Sequence, residues 1–146
     1  MKAKDKSVAK IFISYHLPAL LYGIGIFVLS SLSNLNTPDL GFDTQDKFYH
    51  LLLYAPFGYF LGLSLSNQNL FPELKRRYWL VAIIGGILYG ISDEIHQYFV
   101  PGRFMSFWDT FANGLGVCLG GYLFHFRFRL LAVLSRSKRG LDRSGE

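Results

Sequence analysis

Four apolar runs, each close to the length of a bilayer crossing, constrain this chain more than any motif in it. They cover Ile11–Ser31, Phe48–Leu65, Tyr78–Tyr98 and Phe107–Phe126. An α-helix needs about 20 mostly apolar residues to cross the hydrocarbon core. In lipid, such a segment must satisfy its backbone groups internally, which helices do. The connecting stretches "LSNLNTPDLGFDTQD", "SNQNLFPELKRR" and "VPGR" carry Asn, Asp, Pro and Gly, the residues of turns and caps. The predicted fold is therefore all-α, an integral membrane four-helix bundle. With 51% hydrophobic and 17% charged residues, the chain does not resemble a basic nucleic-acid binder, despite a net charge of +5. The single cysteine, Cys118, rules out an internal disulfide framework and reads as a small buried apolar residue.

Charge predicts the orientation. Four crossings put both termini on one side, together with the segment around Lys75, Arg76 and Arg77. That side carries thirteen lysines and arginines, and the other carries two, Lys47 and Arg103. The positive-inside rule then predicts both termini in the cytoplasm of a bacterial inner-membrane protein. Residues 1–10 form a basic N-tail, 11–126 the membrane domain, and 127–146 a basic C-tail. The C-tail reads as a stop-transfer flank with a disordered end. The first run is longer than the 7–15 apolar residues of a signal peptide.

Under this topology, the polar residues of three spans meet at the outer level. Asp46, His50, Tyr54 and Gly58 are spaced by four and share a helix face. Gly90, Glu94 and Gln97 share another, with Asp93 beside Gln97. Asp109 and Asn113 open the fourth span, Arg103 closes "VPGR", and Ser30 and Ser31 end the first. Ionisable groups at such depth are costly and mark function. Helix capping, or neutralisation of Glu94 or Asp109 by Arg103, is the plainer alternative for individual residues. His16 and His125 read as satisfied or helix-end histidines, and His96 as turned away from Glu94. Gly58 and Gly62, Gly86 and Gly90, and Gly116 and Gly120 form small-x3-small pairs that permit close helix approach.

The ordered set "SSLS", "DK..H...Y" and "YG...DE..Q..VPGR..S..D...N..G" resembles the VanZ-like family of small bacterial membrane proteins. The resemblance spans about residues 11–126. That family takes its name from an accessory factor of glycopeptide resistance, chiefly to teicoplanin. The resemblance implies a role in the cell envelope but supplies no defined reaction.

Three functions follow as expectations. The first is an enzyme acting on a lipid-linked or amphiphilic envelope substrate. His50, held by Asp46, would be a general base. Glu94 would be an acid, with Asp109 a further catalytic candidate. Arg103 would clamp an anionic group, aided by Gln97, Asn113, Tyr54, Asp93, Ser106 and Ser31, with Ser106 or Ser31 as nucleophile candidates. The second is a non-enzymatic accessory protein that binds a lipid headgroup or glycopeptide-like ligand. The third is a small ion or proton transporter, disfavoured because the inner half offers only His16. Partners would be membrane lipids and an envelope precursor, not nucleic acid. No resident cofactor is expected. His50, Glu94 and Asp109 make a ligand set compatible with Zn²⁺ or Mn²⁺, but no HExxH or comparable signature accompanies them.

Overall fold

The computed structural model describes residues 8–33, 38–41 and 43–144, with side chains described through 131 and at 133 and 134. These residues form helices joined by turns. Helix α1 spans Val8–Ser30, α2 Gln45–Asn67, α3 Pro72–Arg76, α4 Tyr78–Tyr98 and α5 Phe107–Ser144. Among the described residues, α1, α2 and α4 are long and apolar enough to cross a membrane. The first half of α5 is less apolar because Asp109, Asn113 and several glycines occupy it. Helix α5 runs on past Phe126, the expected end of the fourth span, to Ser144. The C-tail was expected to end in disorder, but over 127–144 it continues this helix.

Surface and interior are inverted relative to a water-soluble bundle. Leu20, Ile24, Ile84, Leu88, Leu115, Leu119 and Leu123 are exposed. Ser30, Asp93, Glu94, Gln97, Asp109 and Asn113 are buried. An apolar exterior of this extent is unfavourable in water and matches lipid.

Helices α2 and α5 pack closest, for a reason visible in their glycines. A Cβ on Gly120 would fall on the Ala55 carbonyl oxygen, one on Gly58 on the Val117 carbonyl, and one on Gly116 at 2.5 Å from the Leu51 carbonyl. Backbone therefore rests on backbone, as the small-residue pairs predict. Helix α4 adds Gly86 against Val117 and Gly90 against the Asn113 side chain. Ile26, Tyr54, Phe57 and Val117 make the apolar core beneath the polar layer.

Helix α1 docks on α2 and α4 through discrete contacts. The Tyr89 hydroxyl donates to the Gly23 carbonyl at 2.7 Å, and His16 Nδ1 meets Ser64 Oγ at 2.8 Å. The stretch Phe12–His16 is π-helical. Pro18 follows two residues after its end, and its ring crowds the preceding turn while offering no N–H, which widens the helix there. At the same end of the bundle, the Tyr78 hydroxyl pairs with His125 Nδ1 at 2.9 Å. His16 is thus satisfied, as expected, whereas His125, expected at a helix end, sits within α5, which runs on to Ser144. Cys118 is only partly buried, so it is not the fully buried residue that its apolar surroundings suggested.

Candidate polar site

The link between α4 and α5 sets the geometry of the site. In Val100–Arg103, the Arg103 N–H donates to the Val100 carbonyl at 3.1 Å, and Gly102 has φ of 79°. Pro101 supplies the fixed negative φ before it, the sequence pattern of a type II turn. The chain reverses in four residues and delivers Arg103 beside the end of α4. The Asp109 N–H then donates to Ser106 Oγ at 3.3 Å, so Ser106 caps α5.

Glu94 is fully buried and is held from three sides. The Ser106 N–H donates to its Oε2 at 3.1 Å. Its Oε1 faces Gln97 Nε2 at 3.4 Å and Asn113 Nδ2 at 3.5 Å. Asp93 accepts from the Tyr54 hydroxyl at 2.9 Å and from Gln97 Nε2 at 3.1 Å, both through Oδ2. Its Oδ1 is buried with no hydrogen-bond partner.

The Glu94 carboxylate also orients His50. Because Asn113 turns its amide nitrogen toward Glu94, its oxygen faces His50 Nδ1 at 2.9 Å. An amide oxygen only accepts, so Nδ1 carries a proton and donates it in this hydrogen bond. The other ring nitrogen, Nε2, faces Asp109 Oδ2 at 4.0 Å, and His50 Nδ1 lies 3.7 Å from Glu94 Oε1.

A family model described as VanZ/LLP1 matches residues 5–130. The chain belongs to the VanZ/LLP1 family. No curated protein and no solved structure matches it. It is a membrane protein of VanZ type, and the match runs slightly beyond the resemblance seen in residues 11–126.

Most of the expected VanZ-type site residues do converge. His50, Tyr54, Asp93, Glu94, Gln97, Asp109 and Asn113 form one connected layer. A cavity of about 400 Å³ adjoins it, lined by Asp46, Tyr49, His50, Asp93, Gln97, Arg103, Ser30, Leu29 and Leu53. His96 does turn away from Glu94: it stacks on Phe27 at 4.6 Å.

Three expectations are corrected, and one plainer alternative, an ion pair of Arg103 with Glu94 or Asp109, is not met. Asp46 does not hold His50; it is half exposed and pairs with Lys47. One turn of helix separates the two residues, and Asn113 from α5 accepts the imidazole N–H hydrogen bond instead. Ser31 lies outside the cavity, paired with His96 Nε2 at 2.9 Å, and Ser30 lines it in its place. Ser106 Oγ accepts the α5 cap hydrogen bond and is not paired with a base as a nucleophile would be. Arg103 does not neutralise Glu94 or Asp109. No carboxylate lies within ion-pair reach of it among the described residues, and its Nε is buried with no partner.

Lys47 is the residue that sequence reasoning left out of the site. Its ammonium bridges Asp46 and Asp109, at 3.2 Å from Asp109 Oδ1. The available signal was that only two cations, Lys47 and Arg103, lie on the acidic side.

Proposed function

We propose that this VanZ-family protein takes the anionic headgroup of an amphiphilic or lipid-linked envelope molecule into the polar cavity. In this reading, the chain crosses the bacterial cytoplasmic membrane four times, with both termini in the cytoplasm. The cavity then opens toward the outer leaflet. The supporting charge bias, thirteen basic residues against two, is strong for short loops.

One observation carries the ligand class. Arg103 lines both the polar cavity and a second, apolar groove formed with Tyr98, Phe104, Met105 and Phe107. A guanidinium with an uncommitted nitrogen favours phosphate or carboxylate. The neighbouring groove of exposed aromatic surface suits the apolar part of the same molecule. Asp93 Oδ1 offers an acceptor for a hydroxyl or amine of the headgroup.

Chemistry on the bound molecule would run through His50. With Nδ1 donating to Asn113, Nε2 is the ring nitrogen that would exchange a proton with water. With Ser106 committed to its cap, water is the better nucleophile. Pure recognition without turnover is the second reading, favoured by the absence of a free nucleophilic side chain among the hydrogen-bonded groups of the site. Either reading accounts for a part in glycopeptide tolerance, through altered access to envelope precursors.

The test is retention of a polyprenyl phosphate by purified protein, followed by native mass spectrometry. Arg103→Ala should release the lipid, while His50→Ala should keep binding and lose any turnover. Equal retention by wild type and Arg103→Ala would sink the proposal.

A further inference from the structure

We infer that His50, Glu94 and Asp109 form a binding site for one divalent transition-metal cation, Zn²⁺ or Mn²⁺, with Lys47 as the displaceable cation that stands beside it. This site does not depend on headgroup binding by Arg103, but it replaces the general-base role of His50, because Nε2 would be a ligand.

The first ground is geometric. One ligand atom from each of the three residues lies within 4.8 Å of the other two. Donor atoms around a tetrahedral ion sit about 3.3 Å apart, as metal–ligand bonds of about 2.0–2.2 Å require. Small side-chain rotations close the difference. The residues come from three helices, α2, α4 and α5, whose backbones are locked by glycine contacts.

The second ground is the shell behind the ligands. A metal-binding histidine donates its other N–H to a fixed acceptor. His50 does this through Nδ1, to Asn113 Oδ1 at 2.9 Å, which leaves Nε2 directed at Asp109 Oδ2. Glu94 is likewise steadied by the Ser106 N–H. Nε2 and the Asp109 carboxylate face each other across 4.0 Å, close enough for both to reach one ion after the small rotations described above.

The third ground is charge. Asp93, Glu94 and Asp109 are all buried. Among the described residues, Lys47 is the only lysine or arginine within ion-pair distance of any of them, and it reaches only Asp109. Buried charges are paired or bind metal. The Oδ1 of the ligand Asp109 is buried without a hydrogen-bond partner, with only the Lys47 ammonium 3.2 Å away, and the Oδ1 of Asp93, on the wall of the cavity that His50 also lines, is buried without one as well. One nitrogen and two carboxylates suit Zn²⁺ or Mn²⁺.

The experiment uses the full chain in nonionic detergent, without a polyhistidine tag, stripped with chelator and titrated with Co²⁺ in the visible spectrum, then competed with Zn²⁺ and Mn²⁺. One ion per chain is expected. His50→Ala, Glu94→Gln and Asp109→Asn should each weaken binding about 100-fold, and Asn113→Ala about 10-fold, the scale of ligand and outer-shell losses. Lys47→Ala should instead tighten binding several-fold, because it removes a competing cation. Since a buried substitution can also cost folding, X-ray absorption on zinc-loaded wild type provides a second readout. It should show one imidazole among oxygen ligands. Occupancy well below one, affinity unmoved by Asp109→Asn, weaker binding in Lys47→Ala, or a zinc shell without imidazole would each overturn the site. Metal binding that survives Arg103→Ala separates this site from the headgroup pocket.

Discussion

His50 on α2 and Asn113 on α5 are 63 residues apart in sequence and 2.9 Å apart in space. Because the Asn113 amide nitrogen is turned to Glu94 on α4, that hydrogen bond ties His50 through Nδ1 and leaves Nε2 toward Asp109.

Asn113→Leu should therefore reduce function more than it reduces stability. It removes the acceptor for Nδ1 and a donor to Glu94, leaving the imidazole free to rotate. A loss of about 10–100-fold in activity or ligand affinity is expected, on the scale of other outer-shell substitutions. Helical content in circular dichroism should be retained. Unchanged activity would show that His50 needs no orientation.

Ser106→Ala separates capping from nucleophilic catalysis. Loss of an N-cap costs about 1 kcal/mol, which a melting curve in detergent would register. The Glu94 contact survives, because it comes from the Ser106 backbone. Phenotype should persist, and its abolition in a stably folded variant would restore Ser106 as a nucleophile.

Tyr54→Phe deletes the hydroxyl that donates to Asp93. Asp93 Oδ1 already has no partner, so the carboxylate would then depend on Gln97. Leaving a buried acceptor short of a donor costs about 1–3 kcal/mol. The expected result is a lower melting temperature, partly restored by pairing Tyr54→Phe with Asp93→Asn.

Glycine substitutions should divide sharply. Gly120→Ala forces a methyl group onto the Ala55 carbonyl, and the helices must separate. Overpacking of this kind costs about 1–3 kcal/mol or more, and here it should also dissolve the polar layer. At Gly25 and Gly85 an added Cβ meets nothing within 4 Å, so alanine there should be neutral or stabilising. Melting of the three variants side by side checks the contrast.

The proposed topology has a direct reporter test. A periplasm-active enzyme fused after Arg77 should be silent, and one fused after Gly102 active. The reverse pattern would put the cavity on the cytoplasmic side.

Much of this protein was legible along the chain. Apolar run lengths located α1, α2 and α4, and the i, i+4 spacing placed His50 with Tyr54 and Asp109 with Asn113. "VPGR" announced its own turn, because Pro and Gly each impose a φ value. These are local properties, set within a few residues by sterics and periodicity.

The partners of those groups were not legible. Asp46 stands one turn from His50, yet pairs with Lys47. Ser31 is adjacent to Ser30, yet faces His96. Arg103 has three acids nearby in sequence space and pairs with none of them. Such choices depend on helix rotation and depth, which are fixed by where backbone can touch backbone, at Gly58, Gly116 and Gly120. The sequence by itself determined a membrane-type helical protein with its acids gathered at one end. Only the tertiary packing decided which acid meets His50, that Lys47 belongs to the site, and that Arg103 is left unpaired, because hydrogen bonds are won within a few ångströms and a small helix shift reassigns them.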